Sequence, residues 1–244
     1  MRYFSALAAT LFALLIWQGI VTLTGLPMFI LPGPAVVAET WWQNRWVIAE
    51  HTWITAIEVV IGMACGTLLG VVTALQLANS RAARALVQPM LVFTQALPVF
   101  ALAPLLTLWL GYGLWSKVAM AVLIIYFPIT SSFFDGLMRT PSGYLDLART
   151  MQASKRAVLW HIRIPAALPS LASGMRLAAV YAPIGAVIGE WVGSSQGLGY
   201  LMLLANGRAK TDLMFAAMLT LGVFSILLHM VVRRATARMA GEMH

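Results

Sequence analysis

Charge is scarce in this sequence. Only 10% of its 244 residues are Asp, Glu, Lys or Arg, against roughly 25% in soluble domains, and that shortage excludes an ordinary water-soluble fold. Cysteine is rarer still: Cys65 stands alone, so an intrachain disulfide and a cysteine-based metal cluster are both excluded. Histidine does not fill the gap, because His51, His161, His229 and His244 lie far apart with no HExxH or paired spacing, which leaves no hydrolytic metal motif. Also missing is any Gly-rich loop ending in Lys-Ser/Thr; the glycines at 193, 197 and 199 read as a flexible loop, and the chain carries no nucleotide cradle of its own.

What is present is apolar. Hydrophobic residues make up 61% of the chain and the mean hydropathy is +0.84. Since lipid offers backbone groups no water to bond, such a chain folds as an all-α, polytopic membrane helix bundle. At about 20 residues per crossing, the apolar runs give about six spans. They fall at residues 3–23, 53–78, 85–110, 116–137, 168–191 and 212–232. The first run has too long a core for a cleaved signal sequence and is expected to remain as a span. Between it and the second, residues 35–50 carry Trp41, Trp42 and Trp46 and read as a short helix lying in the headgroup layer, with anchoring favoured over ligand stacking.

The second span places Gly62, Gly66, Gly70 and Ala74 at successive i+4 positions. Such a ridge lets another backbone approach closely in lipid, so a helix or a second subunit is expected to pack there. The third span contains Pro89, Pro98 and Pro104 with Thr94 and Gln95 between them; the fourth carries Tyr126, Pro128, Thr130 and Ser131. These polar groups either line a solute path or bond neighbouring helices. Glu190 near the end of the fifth span, like Glu58 near the start of the second, is an ionisable group at a membrane boundary and a functional candidate that could also reach water.

Basic residues set the orientation. Eleven Lys and Arg fall at the two termini and in the loops at 79–85 and 139–165, whereas Arg45, Lys117, Arg208 and Lys210 fall on the opposite side. The bias expects both termini in the cytoplasm. An excess of 16 basic over 8 acidic residues in so apolar a chain points to anionic lipid and a protein partner rather than nucleic acid.

The longest polar, basic interruption is residues 146–169, DLARTMQASKRAVLWHIRIPAALP. Its Asp146-x-Ala148, Ala153-Ser154 and Ile162-x-Ile164-Pro165 elements resemble the signature loop of ABC importer permeases. Leu147 replaces the loop's first small residue, and Gln152 stands where the family has glycine, the residue that takes positive φ without steric cost. The resemblance continues through LPGP, TQALPVFALAPLLTLWLGYG and GEWVGSSQGLGYLM. It looks closest to the branch importing sulfonates, nitrate and the hydroxymethylpyrimidine precursor of thiamine, and within that branch to the thiamine-pyrimidine permeases.

The resemblance implies a single permease domain over 1–244, with a core at about 50–235 and a cytoplasmic coupling helix in a loop at 140–165. Asp146, Ala148, Gln152, Ala153, Ser154, Trp160, Ile162 and Pro165 would contact the ATPase, with Asp146 opening the short helix. Thr94, Gln95, Tyr126, Thr130, Ser131 and Glu190 are the candidates for the substrate path. The implied partners are a cytoplasmic ATPase dimer that holds ATP and Mg²⁺, a periplasmic or lipid-anchored solute-binding protein, and a second copy of the chain. No cofactor is expected on this subunit, and its place would be the bacterial inner membrane. A channel or secondary transporter would instead need filter or coupling-ion residues, and an embedded enzyme a catalytic pair; neither is visible.

Overall fold

The computed structural model describes residues 2–241 and, within them, all side chains except those of residues 2–7, 92, 95 and 96. Among the described residues the regular structure is entirely helical. In chain order the helices are α1 (Arg2–Thr24), α2 (Pro34–Gln43), α3 (Arg45–Asn79), α4 (Arg81–Ala96), α5 (Val99–Leu110), α6 (Leu114–Met138), α7 (Ser142–Thr150), α8 (Lys155–Val158), α9 (Ile164–Gly193), α10 (Leu198–Gly207) and α11 (Thr211–Ala235). A π turn at Leu159–Arg163 joins α8 to α9, so that Lys155–Gly193 runs as one helical stretch. Among the described residues four stretches are long and apolar enough to cross a membrane: α3, α6, Lys155–Gly193 and α11.

Two local breaks depart from the expected spans. The helix expected at 35–50 is divided at Asn44, whose side-chain Nδ2 donates to the Thr40 carbonyl at 2.9 Å and whose backbone leaves the helical region at φ −103°, ψ 16°. Residues from Arg45 onward therefore belong to the long α3, and only α2 is a short separate helix. The continuous span expected at 85–110 is also two helices. Proline forces the preceding residue out of the α region, and Leu97 before Pro98 is extended at φ −75°, ψ 130°. The 16 residues of α4 and 12 of α5 reach about 24 and 18 Å at 1.5 Å per residue, so neither alone matches a hydrocarbon core of about 30 Å.

The chain forms two compact units. The first comprises Met1–Thr55 and Ser195–Val223. Its helices are tied by long-range polar contacts: Trp17 Nε1 donates to the Pro32 carbonyl at 3.1 Å, Thr40 Oγ1 to Asp212 at 2.8 Å, and Trp41 Nε1 to Thr220 at 3.0 Å. Trp17 also stacks on Phe215 with ring centroids 5.7 Å apart. His51 and Thr55, one turn apart on α3, accept the backbone N–H groups of Gly197 and Leu198 at 3.0 and 2.8 Å, serving donors that the start of α10 would otherwise leave orphaned.

The second unit, Ala56–Ser194 with Phe224–His244, is built around α6. The glycine ridge of α3 fits against it: a Cβ added at Gly62, Gly66 or Gly70 would lie 2.7, 2.7 and 2.9 Å from Ala121, Ile125 and Ile129. The partner expected at this ridge is thus a helix of the same chain. Because both series ascend together, α3 and α6 run parallel, and the broken pair α4–α5 must return between them. On its other side α6 meets α9 in the opposite sense, with Gly174 against Ser132, Gly185 against Ala121 and Gly189 against Lys117. Lipid tails solvate an apolar face nearly as well as another helix does, so close backbone approach and dispersion, rather than exclusion of water, hold this stack together. Its centre is Met120, Ile125, Ile129, Phe133 and Leu137, all essentially inaccessible.

The stack fixes which loops share an end. The C-termini of α3 and α6 and the N-terminus of α9 lie together, and Arg84 reaches across to Met138 there. At this same end Arg176 Nε donates to Thr236 at 3.1 Å, just past α11.

Candidate functional site

The interrupting loop folds as helix, turn and helix. The first helix, α7, starts at Ser142 behind Pro141, so Asp146 is its fifth residue and does not open it. The expected favourable dipole at a first-turn carboxylate is therefore absent, and the helix has no acid in its first turn. Instead Asp146 accepts from its own Arg149 at 2.8 Å, with both side chains mostly exposed. Ala148 is buried.

The helix ends where the family pattern has glycine, and the backbone keeps the geometry a glycine would take. Gln152 sits at φ +53°. Its N–H donates to the Arg149 carbonyl at 2.9 Å, and that of Ala153 to the Ala148 carbonyl at 2.9 Å, the two bonds of a Schellman ending. Ser154 then caps α8 by accepting the Ala157 N–H at 3.2 Å. In the following π turn the Ile164 N–H reaches the Leu159 carbonyl, five residues back. Pro165 and Pro169 supply no N–H to the helix that follows, which is where such widened turns occur. Trp160 is exposed in this turn, Ile162 is half-buried, and Pro165 is exposed in the first turn of α9.

Tyr144, Leu147 and Met151 add an exposed apolar stripe to this segment. Sequence reasoning passed over it, although the i, i+3, i+7 spacing was there to be read; Leu147 registered only as a departure from the family pattern. This stripe, together with the exposed Trp160 further along the loop and the basic side chains of the same segment, has the composition of a protein docking surface.

A second feature lies between α5, α6 and α9. A cavity of about 520 Å³ is lined by Val99, Ile124, Phe127, Pro128, Ser131, Ser132, Leu177 and Tyr181. Among the described residues its wall offers hydroxyls and aromatic rings and no charged group. Of the expected path residues, Ser131 lines it. Thr130 is fully buried and donates to the Tyr126 carbonyl at 2.7 Å, while the Tyr126 hydroxyl donates to Thr73 at 2.9 Å and ties α6 to α3. Thr94 is half-buried and donates to the Leu91 carbonyl at 2.7 Å; the side chain of Gln95 lies outside the described residues. Tyr181 was not anticipated, because nothing in an apolar run tells which face of α9 turns toward the cavity.

At the opposite end of the α6 stack, Lys117 Nζ lies 3.7 Å from Glu58 Oε1, and Glu190 stands within hydrogen-bonding reach of Glu58. All three are buried. Glu190 thus lies inside the helix stack rather than reaching water, and Lys117 is a partner in that stack rather than a loop charge.

Known proteins share this frame. The family described as binding-protein-dependent transport system inner membrane component matches residues 66–241. The chain is 50% identical over 216 residues, 88% of each chain, to a probable ABC transporter permease protein of Haemophilus influenzae. It is 38% identical over 231 residues, 93% of this chain and 92% of the other, to the formylaminopyrimidine transport permease protein ThiX of Halalkalibacterium halodurans. Among solved structures, the MetNI methionine ABC transporter in an inward-facing conformation superposes with a TM-score of 0.70 at 18% identity, over 81% of this chain and 98% of that one, a likeness of fold alone. With the family match running through the α3–α6–α9 stack and the α7–α8 loop, the chain belongs to the binding-protein-dependent inner membrane components, and is a permease subunit of an ABC importer whose ATPase is a separate polypeptide.

Proposed function

We propose that this permease imports a small, largely uncharged heteroaromatic of the hydroxymethylpyrimidine type, a thiamine precursor, and that the α5–α6–α9 cavity lies on its path. The observation that carries the reading is the cavity wall. Ser131, Ser132 and Tyr181 supply hydroxyl groups and Phe127 an aromatic face, groups that bond and stack on a nitrogen heterocycle without demanding charge. The relationship to ThiX supports the same class, since that protein is named for a formylaminopyrimidine. A fixed sulfonate site would call for a cation, and among the described residues the cavity wall has none.

In this reading two copies of the chain surround the path. The ATPase dimer meets Tyr144, Leu147, Met151 and Trp160 on the cytoplasmic side, and a solute-binding protein delivers the ligand outside. Both termini are cytoplasmic. Selectivity at capture belongs to the binding protein, so changes in the cavity alter the transport rate and leave capture affinity alone.

A pyrimidine-requiring thiamine auxotroph carrying this chain tests the assignment. Growth on limiting hydroxymethylpyrimidine should fail when the chain is deleted and slow with Ser131→Leu. Untouched growth on the pyrimidine together with lost use of taurine or another sulfonate would replace the pyrimidine with the sulfonate class.

A further inference from the structure

The loop end of the second unit holds a cavity of about 820 Å³ that the transport path does not use. Five cations line it: Arg81 and Arg84 from α4, Arg149 from α7, Lys155 from α8 and Arg163 from the π turn, with the amide of Asn79 beside them. Among the described residues no carboxylate lines the wall, and the nearby Asp146 is engaged with Arg149. Like charges gathered around one hollow repel one another, yet the fold holds them there. Arg84 is fixed by its donations to the Leu77 carbonyl at 3.3 Å and to Met138 Sδ at 3.4 Å, and by the Phe134 ring beneath it at 5.3 Å. Arg163 Nε is buried and finds no hydrogen-bond acceptor, an exception among buried donors that calls for one.

We propose that this cavity binds a phosphate group, carried by an anionic phospholipid or by a free phosphate anion. Guanidinium groups match phosphate oxygens in a bidentate way, and several directed at one hollow select a multiply accepting anion over a single carboxylate. The surroundings favour the lipid. An adjoining groove of about 580 Å³ shares Arg81 and Arg84 and passes Ala85, Gln88 and Pro89. On the same helix Leu86, Met90 and Phe93 form an exposed apolar face at i, i+4, i+7. The face lies around the helix from the groove and meets it at Pro89, one turn before Phe93, which gives the acyl chains of a lipid held at the cations an apolar neighbour. The proposal rests on the membrane-permease reading but not on the identity of the transported solute.

The test uses the purified full-length permease in detergent, incubated with equal amounts of phosphatidylglycerol and phosphatidylcholine and examined by native mass spectrometry. The parent should retain phosphatidylglycerol preferentially. The exposed pair Arg81→Gln/Lys155→Gln should lower that retention by about thirtyfold, from two juxtamembrane charges removed, with its thermal midpoint unchanged, and Arg81→Lys/Lys155→Arg should restore it. If retention is equal in parent and variant but inorganic phosphate stabilises only the parent against heat, the phosphate site stands with a soluble anion as its ligand. If neither phosphatidylglycerol nor inorganic phosphate distinguishes the two, the proposal is overturned; loss of ATPase association by the variant in that case assigns the cavity to the protein interface. Because retention is read on the isolated chain, it is independent of the growth assay, and either reading can fail without the other.

Discussion

The two ends of the α6 stack treat charge in opposite ways. At one, Glu58, Lys117 and Glu190 are removed from solvent and turned on each other. At the other, Arg81, Arg149 and Lys155 are exposed, and Asp146 pairs with Arg149 in the open. A buried ion pair that loses one member strands the rest in a medium that cannot solvate it, whereas an exposed pair is replaced by water at little cost. The buried end therefore fixes how three helices meet, and the open end is free to recognise something else.

This contrast can be broken most sharply at Lys117. Lys117→Met should destabilise the permease by about 3–5 kcal/mol, since two carboxyl groups remain face to face without their cation; Asp146→Ala should change stability by less than about 1 kcal/mol. Denaturation midpoints measured in the same detergent would compare them, and equal effects would erase the distinction. Between the two ends, Gly66→Ala places a methyl group 2.7 Å from Ile125 and should cost about 1–3 kcal/mol by overpacking. Gly143→Ala, with open space around it, serves as the control that should stay near parental.

At the open end the expected losses are of function rather than stability. Asp146→Arg should reduce ligand-stimulated ATP hydrolysis by the assembled complex several-fold and more than Asp146→Asn does, because repulsion adds to a lost attraction. A parental hydrolysis rate in the Arg variant would remove Asp146 from the coupling surface. The smallest effect belongs to Gln152. Gln152→Gly relieves a left-handed residue of about 1 kcal/mol of steric cost but adds flexibility to the unfolded chain, for a net gain of about 0.5 kcal/mol. Gln152→Val should lose stability at the same site, and a higher melting temperature for Val than for Gly would contradict the Schellman geometry.

Helical spans, the glycine ridge and the exposed basic loop were legible because they rest on period and composition. Gly62, Gly66 and Gly70 announce a close approach whatever they approach. Identity of the approaching helix was not legible, since Ala121, Ile125 and Ile129 are ordinary residues whose place depends on the whole stack. The same limit hid the Lys117–Glu58 pair, which joins residues 59 positions apart in sequence, and the turn of Tyr181 toward the cavity. Asp146 was misplaced by a few residues for a local reason: the helix begins behind Pro141, and a family motif carries no cap of its own. Pro98 was placed inside one continuous span, whereas the extended Leu97 before it ends the helix.

The widened turn at Leu159–Arg163 leaves Lys155–Gly193 as one uninterrupted rod of 39 residues, about 58 Å long at 1.5 Å per residue. One tip begins in the polar helix–turn–helix loop, the segment proposed above to meet the ATPase; the other carries Glu190 into the buried cluster. In the proposed import cycle such a rod would act as a lever. Pivoted near its docking tip, a tilt of about 5° sweeps the far tip through about 5 Å by this length, roughly the width of one helical turn. The pocket wall at Leu177 and Tyr181 lies partway along the arm, so a small rotation imposed at one tip would reach both the proposed path and the charge cluster.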